Sequence, residues 1–175
     1  MKPMKEQMKA ITFDSEINKE SIKQLLLDID KIPETENIIL YMSSNGGSVS
    51  DKLNLVDYIN RFPDRFTIVC NWDMSSAAFD LLLEVKNCKV KVSNIAFSRL
   101  HYFNNTIDIR NLNNNFSIDH YLLNDLQTRN ALFIENFSRY LSDEEVEEIK
   151  KGNDIIINSN RMKIIINLLN PGVLI

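Results

Sequence analysis

Two periodicities alternate through the first hundred residues, and that alternation restricts the fold more than any other feature. Ala10-Ile-Thr-Phe13 reads as a short strand. Asn18 to Lys31 then carries Ile22, Leu25, Leu26 and Ile29 at helical spacing, and Pro33 follows its end. Asn37 to Met42 is a continuous apolar run rich in β-branched residues, the pattern of a strand buried on both faces. A turn over Ser43 to Val49 leads to a second helix, Asp51 to Arg61, stopped before Pro63. Phe66 to Cys70 repeats the buried-strand pattern, and Ser75 to Val85 reads as a buried, Ala- and Leu-rich helix. Strand, helix, strand, helix, strand, helix implies right-handed crossovers and a parallel sheet, hence an α/β domain.

Lys89 to Val92 and Ile95 to Leu100 are expected to be strands, and Thr106 to Arg110 a further one. Asn111 to Asn115 is an Asn-rich loop, and Ser117 to Tyr140 a long amphipathic helix. Ser142-Asp-Glu-Glu145 has the form of a capping box and opens a helix over 143–151, with Gly152 at its C′ position. A short strand over Asp154 to Asn158 and a closing helix over Arg161 to Leu169 complete the chain.

Composition removes several function classes. The 175 residues carry a net charge of −4, which argues against a nucleic-acid binder working through a basic face. The two cysteines, Cys70 and Cys88, form neither a disulfide scaffold nor a zinc-finger spacing, so a reducing, cytoplasmic setting is expected. Glu144, Glu145, Glu147 and Glu148 have no accompanying His or Cys and read as a solvated face, not a metal site. No apolar run reaches the ~18 residues of a membrane span, and no signal-peptide core is visible.

The chain holds only 4 glycines, and two are adjacent, Gly46-Gly47, directly after a buried strand. Such a pair lets the backbone turn sharply and aim N–H groups into a cleft, where they could cradle an anion; a plain tight turn fits them as well. The next strand runs through Asn71-Trp-Asp-Met-Ser-Ser76 into the Ala-rich helix. A serine there is placed as a nucleophile or simply as a helix cap. His101 ends a later strand, and a histidine is the usual general base for a serine. His120 reads as a helix-face residue.

These residues together resemble the proteolytic subunit of the Clp protease, whose fold is shared with signal peptide peptidase A and the crotonases. Ile38-Ile-Leu-Tyr-Met-Ser-Ser-Asn-Gly-Gly-Ser-Val49 is similar to the family's I-x-L-Y-I-N-S-P-G-G-S-V. Pro63, Thr67, Ile68 and Ser75 follow its next motif, and Lys86-Asn87 stands where the family has a Lys-Gly turn. The resemblance covers roughly residues 10 to 160 and is strongest over 38–101. It implies a spiral of ββα units in a single domain: a head over 10–105, a handle helix over about 117–141, and a C-terminal part over 142–175. It implies a serine endopeptidase of an oligomeric barrel that cuts unfolded polypeptide without metal or cofactor.

Carried over by position, the resemblance makes Ser75 the nucleophile and His101 the base, with one residue inserted in its strand. The amides of Gly47 and Ser76 become the oxyanion hole, and Asp154 the acid that orients the histidine. Ser76 is the rival nucleophile, 29 residues after Gly47 and 25 before His101. Thr67, Ile68, Ala78 and Phe79 keep register with Ser75. The implied partners are further copies of the chain in a heptameric ring or double ring. An AAA+ unfoldase would be a partner too, but only about ten residues precede the first strand where the family has its docking segment.

Three departures stand out. Asn45 replaces the motif proline, Trp72-Asp73-Met74 replace small residues before the serine, and His101-Tyr-Phe replaces His-Gln-Pro. They open a second reading, an inactive structural subunit with Trp72 or Met74 filling the cleft. A third, an acyl-CoA enzyme of the crotonase type, uses a similar pair of N–H groups but is disfavoured by chain length.

Overall fold

A computed structural model describes residues 8–101, 128, 130, 131, 134, 135 and 137–175. The strands are β1 (Met8–Asp14), β2 (Asn37–Ser44), β3 (Phe66–Met74), β4 (Lys89–Val92), β5 (Phe97–Leu100) and β6 (Ile155–Asn158). The helices are α1 (Lys19–Asp30), α2 (Val49–Asn60), α3 (Ala77–Glu84), α4 (Asp143–Lys150) and α5 (Ser159–Leu169), with a 3₁₀ turn at Ser138–Tyr140. The sheet runs β1-β2-β3-β5-β6, and β4 pairs with β3. β1 with β2, β2 with β3, and β3 with β4 and β5 are all parallel, as the alternation requires. The expected strand over 106–110, the Asn-rich loop and most of the helix over 117–140, His120 included, lie outside the described residues.

The chain divides into two compact units, one of residues 1–99 with 156–175 and one of residues 100–155. In the first, Ile38, Leu40 and Met42 of β2 interleave with Phe66, Ile68 and Cys70 of β3, all fully buried. Burial along β2 alternates strictly instead of covering both faces: Asn37, Ile39, Tyr41 and Ser43 are half-buried. Ile29 of α1, Leu55 and Ile59 of α2, and Phe79 and Leu81 of α3 complete the core.

Local signals set the helix ends. Asn18 caps α1 by accepting from the Ser21 amide at 2.9 Å while the Ser21 hydroxyl accepts from the Asn18 amide at 3.1 Å. In the second unit Ser142 and Glu145 form the anticipated capping box, with bonds of 3.2 and 2.8 Å. Gly152 follows α4 with φ +90°, the left-handed conformation expected of a C′ residue. α5 starts two residues earlier than its apolar pattern suggested, because Asn158 caps it through the Arg161 amide at 3.0 Å.

Lys52 of α2 fixes α3. Its ammonium is fully buried and meets both carboxylate oxygens of Glu84 at 2.7 and 2.8 Å. The Lys52 side chain is 3% exposed and that of Glu84 41%. The pair is therefore asymmetric. Glu84→Gln strands a buried cation and should cost about 1–3 kcal/mol, below the usual figure for a broken buried pair because Glu84 is part-solvated. Lys52→Met leaves an exposed carboxylate and should cost less than ~1.5 kcal/mol. Urea unfolding of the two variants measures the difference, and equal costs would contradict it.

Both thiols are buried. Burial pushes Cys70 up to about 12, with a smaller contribution from Cys88, and burial alone pushes Cys88 up to about 12. Tyr58 is also raised to about 12, first by burial and then by its hydrogen bond to Asp30. A folded pKa above the unfolded one contributes stability that is complete below the unfolded value and lost as pH rises toward the folded one. The urea midpoint should hold level to about pH 8.5 and then fall continuously from about pH 9 upward. A midpoint unchanged to pH 11 would refute the burial of these groups.

Candidate active site

The site is built where β3 changes partners. Met42 of β2 pairs with Cys70, but Ser44 pairs with Met74, so three residues of β3 stand opposite the single Ser43. Asn71, Trp72 and Asp73 therefore detour out of the β2 ladder. Before the detour Thr67–Cys70 pair with β4, and within it Asp73 pairs with Phe97 of β5. The sequence reading ended this strand at Cys70; the polar Asn71 and Asp73 broke the apolar pattern, yet the backbone continues as a strand to Met74.

The bulky residues of the detour have separate fates. Met74 is fully buried. Trp72 is 53% exposed and meets the Phe97 ring edge-on, with centroids 5.7 Å apart. Asp73 turns to Arg99 of β5, whose Nη2 donates to its Oδ2 at 2.8 Å.

β3 leads into α3 through Ser75 and Ser76. Ser75 is 2% exposed. Its amide donates to the Ser44 carbonyl at 3.0 Å. Its hydroxyl donates to Asp73 Oδ1 and accepts from the Arg99 amide at 2.9 Å and from Arg99 Nε at 3.4 Å. A serine hydroxyl has one donor and two acceptor sites, so this one is saturated. Ser76 differs in each respect. It is half-buried, and its hydroxyl makes no hydrogen bond among the described residues. Its backbone sits at φ +52°, ψ −128°, outside the regions open to an ordinary L-residue. Strain of about 1–3 kcal/mol is held at such a position only where the surroundings impose it. A serine so strained, between a strand and a helix, is the geometry that lifts a nucleophilic Oγ out of the turn.

The Gly46-Gly47 loop packs directly on this turn. Gly46 and Gly47 have φ of +101° and +133°. A Cβ at Gly46 would stand 2.6 Å from the Ser76 Cβ and 2.8 Å from the Ser75 carbonyl oxygen. Ile17 anchors the loop from the other side: its amide donates to the Gly46 carbonyl and its carbonyl accepts from the Ser48 amide, both at 2.7 Å. Both bonds come from the neighbours of Gly47, which turns the Gly47 N–H away from Ile17. Neither the Gly47 nor the Ala77 amide donates a hydrogen bond among the described residues.

The expected residues are thus rearranged. The Gly47 amide makes no hydrogen bond among the described residues. The amide of Ser76 does: it donates to the Arg99 carbonyl at 3.1 Å. The free amide is that of the next residue, Ala77, at the N-terminus of α3. Ser75, the first choice for nucleophile, has its hydroxyl locked in the Asp73–Arg99 cluster, and the geometry favours Ser76. The Gly47 and His101 spacings already fitted Ser76. The ungapped register through Thr67 and Ile68, which points to Ser75, crosses the detour, where an added residue costs little. His101 stands one residue beyond β5, and Asp154, exposed, one residue before β6; both belong to the second unit.

The Clp protease family model matches residues 6–97, more than half of the chain. The chain belongs to the Clp protease family. The matched stretch contains the Gly46-Gly47 loop, both serines and Asp73, and it ends before Arg99, His101 and Asp154. Among solved structures, the ClpP protease catalytic domain from Plasmodium falciparum is similar in fold, with a TM-score of 0.53 and 23% identity over 89% of this chain and 79% of that one. No curated protein matches the chain. This Clp protease family member has no helix, among the described residues, long and apolar enough to cross a membrane. No group of His, Cys, Asp and Glu among them is arranged to hold a metal ion.

Proposed function

We propose that this chain is a serine peptidase of the Clp type with Ser76 as nucleophile. The observation that carries the reading is the conformation of Ser76: positive φ at the strand-to-helix turn, with a hydroxyl that, like the amides of Gly47 and Ala77, makes no hydrogen bond among the described residues. Ser76 Oγ attacks the peptide carbonyl carbon as His101 takes its proton. The carbonyl electrons move to oxygen, and the Gly47 and Ala77 N–H groups receive that charge, aided by the positive end of α3. The C–N bond then breaks as His101 returns the proton to the leaving amine, and water releases the acyl group by the same steps reversed. The roles of His101 and of Asp154, as its orienting acid, are taken from the family resemblance. So are an extended, unfolded polypeptide as substrate, a ring of identical subunits and an unfoldase partner.

The inactive-subunit reading expected Trp72 or Met74 to fill the cleft. Met74 lies in the core and Trp72 leans on Phe97, so neither supports it. The test is covalent labelling. A fluorophosphonate applied to the assembled protein should form one adduct, mapped by peptide sequencing to Ser76. An adduct on Ser75 would move the nucleophile, and no adduct on either serine would sink the peptidase reading.

A further inference from the structure

Asp73 and Arg99 are charged residues packed against a turn that already carries backbone strain, and the peptidase mechanism uses neither. Together with Ser75 they form a closed cycle. Asp73 Oδ1 accepts from the Ser75 hydroxyl, Asp73 Oδ2 accepts from Arg99 Nη2 at 2.8 Å, and Arg99 Nε returns to the Ser75 hydroxyl at 3.4 Å. The Asp73 side chain is 16% exposed, so its ion pair is shielded from solvent more than a surface pair.

Arg99 also lends both of its backbone groups. Its N–H donates to the Ser75 hydroxyl at 2.9 Å, and its carbonyl accepts from the Ser76 amide at 3.1 Å. In this exchange the Ser75 side chain takes the place that a backbone carbonyl holds in an ordinary parallel ladder. Four bonds therefore fasten the end of β3 and the serine turn to Arg99 of β5, two from its backbone and two from its guanidinium, and the Ser75–Asp73 bond ties the receiving groups together. Of these bonds, the one from the Ser76 amide to the Arg99 carbonyl bears directly on the residue held at φ +52°.

We propose that Asp73, acting through Ser75 and Arg99, is a positioning residue that holds the Ser76 turn in its reactive conformation. The inference rests on the serine-peptidase reading and extends it to three residues that the family motif does not supply in this form. Asp73 does not touch substrate in this scheme. It works by fixing Arg99, which fixes the Ser76 backbone. An ångström of displacement at a nucleophile is enough to cost on the order of 10²-fold in rate.

The experiment compares fluorophosphonate inactivation rates, peptide kinetics and amide hydrogen exchange in Asp73→Asn, Asp73→Glu and Arg99→Lys, each checked by its melting curve. Asp73→Asn keeps the shape but loses the charge on which Arg99 depends. It should slow labelling of Ser76 by roughly 10–100-fold and lower kcat by a similar factor with KM little changed. Exchange of the Ser76 and Arg99 amides should quicken. Asp73→Glu should restore part of the rate, which a loss of folding alone would not allow. Should Asp73→Asn fail to fold, Arg99→Lys, which keeps both backbone bonds and one charge, should still show a several-fold loss. Labelling at the wild-type rate in Asp73→Asn and Arg99→Lys would overturn the positioning role while leaving the peptidase reading intact. A wild-type protein that takes no label would overturn the peptidase reading and the role with it. The exchange rates would then still report whether the fastening exists.

Discussion

Ser76→Ala is expected to abolish peptide hydrolysis, by about 10⁴–10⁶-fold in kcat, and to remove fluorophosphonate labelling, without loss of the fold. Alanine keeps the Cβ, and the Ser76 hydroxyl has no partner among the described residues to lose. Ser75→Ala is the necessary comparison. It removes a hydroxyl with three contacts, so it should lower stability by about 1–3 kcal/mol and slow the reaction only through misplacement, about 10²-fold. Several decades of rate separate the two serines. If Ser75→Ala proves inert and Ser76→Ala keeps most of its activity, the first expectation from sequence is reinstated. Ser76→Gly adds a check on the strain. Glycine adopts the φ of +52° without penalty, so this variant should be inactive yet about 1 kcal/mol or more stabler than wild type.

Gly46→Ala should damage both the fold and the serine turn. The added Cβ falls 2.6 Å from the Ser76 Cβ and 2.8 Å from the Ser75 carbonyl oxygen, and the backbone keeps φ at +101°. Strain and overpacking together should cost about 2–5 kcal/mol, lowering Tm by roughly 5–15 °C for a chain of this size. Activity should fall further than stability accounts for, because the part that must yield is the Ser76 turn itself. Gly152→Ala calibrates the result: φ is +90° there, but nothing lies within 4 Å. It should cost only the backbone term, about 1–2 kcal/mol. Comparable losses in the two variants would mean that the loop and the serine turn are not in contact as described.

Much of the frame was legible because it follows from local periodicity. α1, α2 and α4 fall within a residue or two of their apolar and capping signals, and the parallel pairing follows from the strand–helix alternation. β4 coincides with its expected span. What could not be read was set by tertiary hydrogen bonding. Asn71, Trp72 and Asp73 have no strand pattern of their own and are extended because β5 receives Asp73. The choice between Ser75 and Ser76 depends on which hydroxyl Asp73 and Arg99 capture, and they are 26 residues apart in sequence. In sequence Asp73 is only a departure from the motif; its ion-pair partner, Arg99 of β5, is far along the chain. Gly46-Gly47, by contrast, was visible at once, since a chain with four glycines that sets two together marks a backbone need.

The burial of α3 carries a last consequence. Ala77, Ala78, Phe79, Leu81 and Leu82 are all at zero exposure, so five of the eight residues of the helix are locked in the core and only the side of Asp80, Leu83 and Glu84 meets solvent. Segments with such burial exchange their amides only when the whole structure opens. The helix that follows Ser76 should thus be one of the last parts of the first unit to melt. On the serine-peptidase reading proposed above, control of the site would act on what surrounds that helix, the Gly46-Gly47 loop or β5, and not on the helix itself.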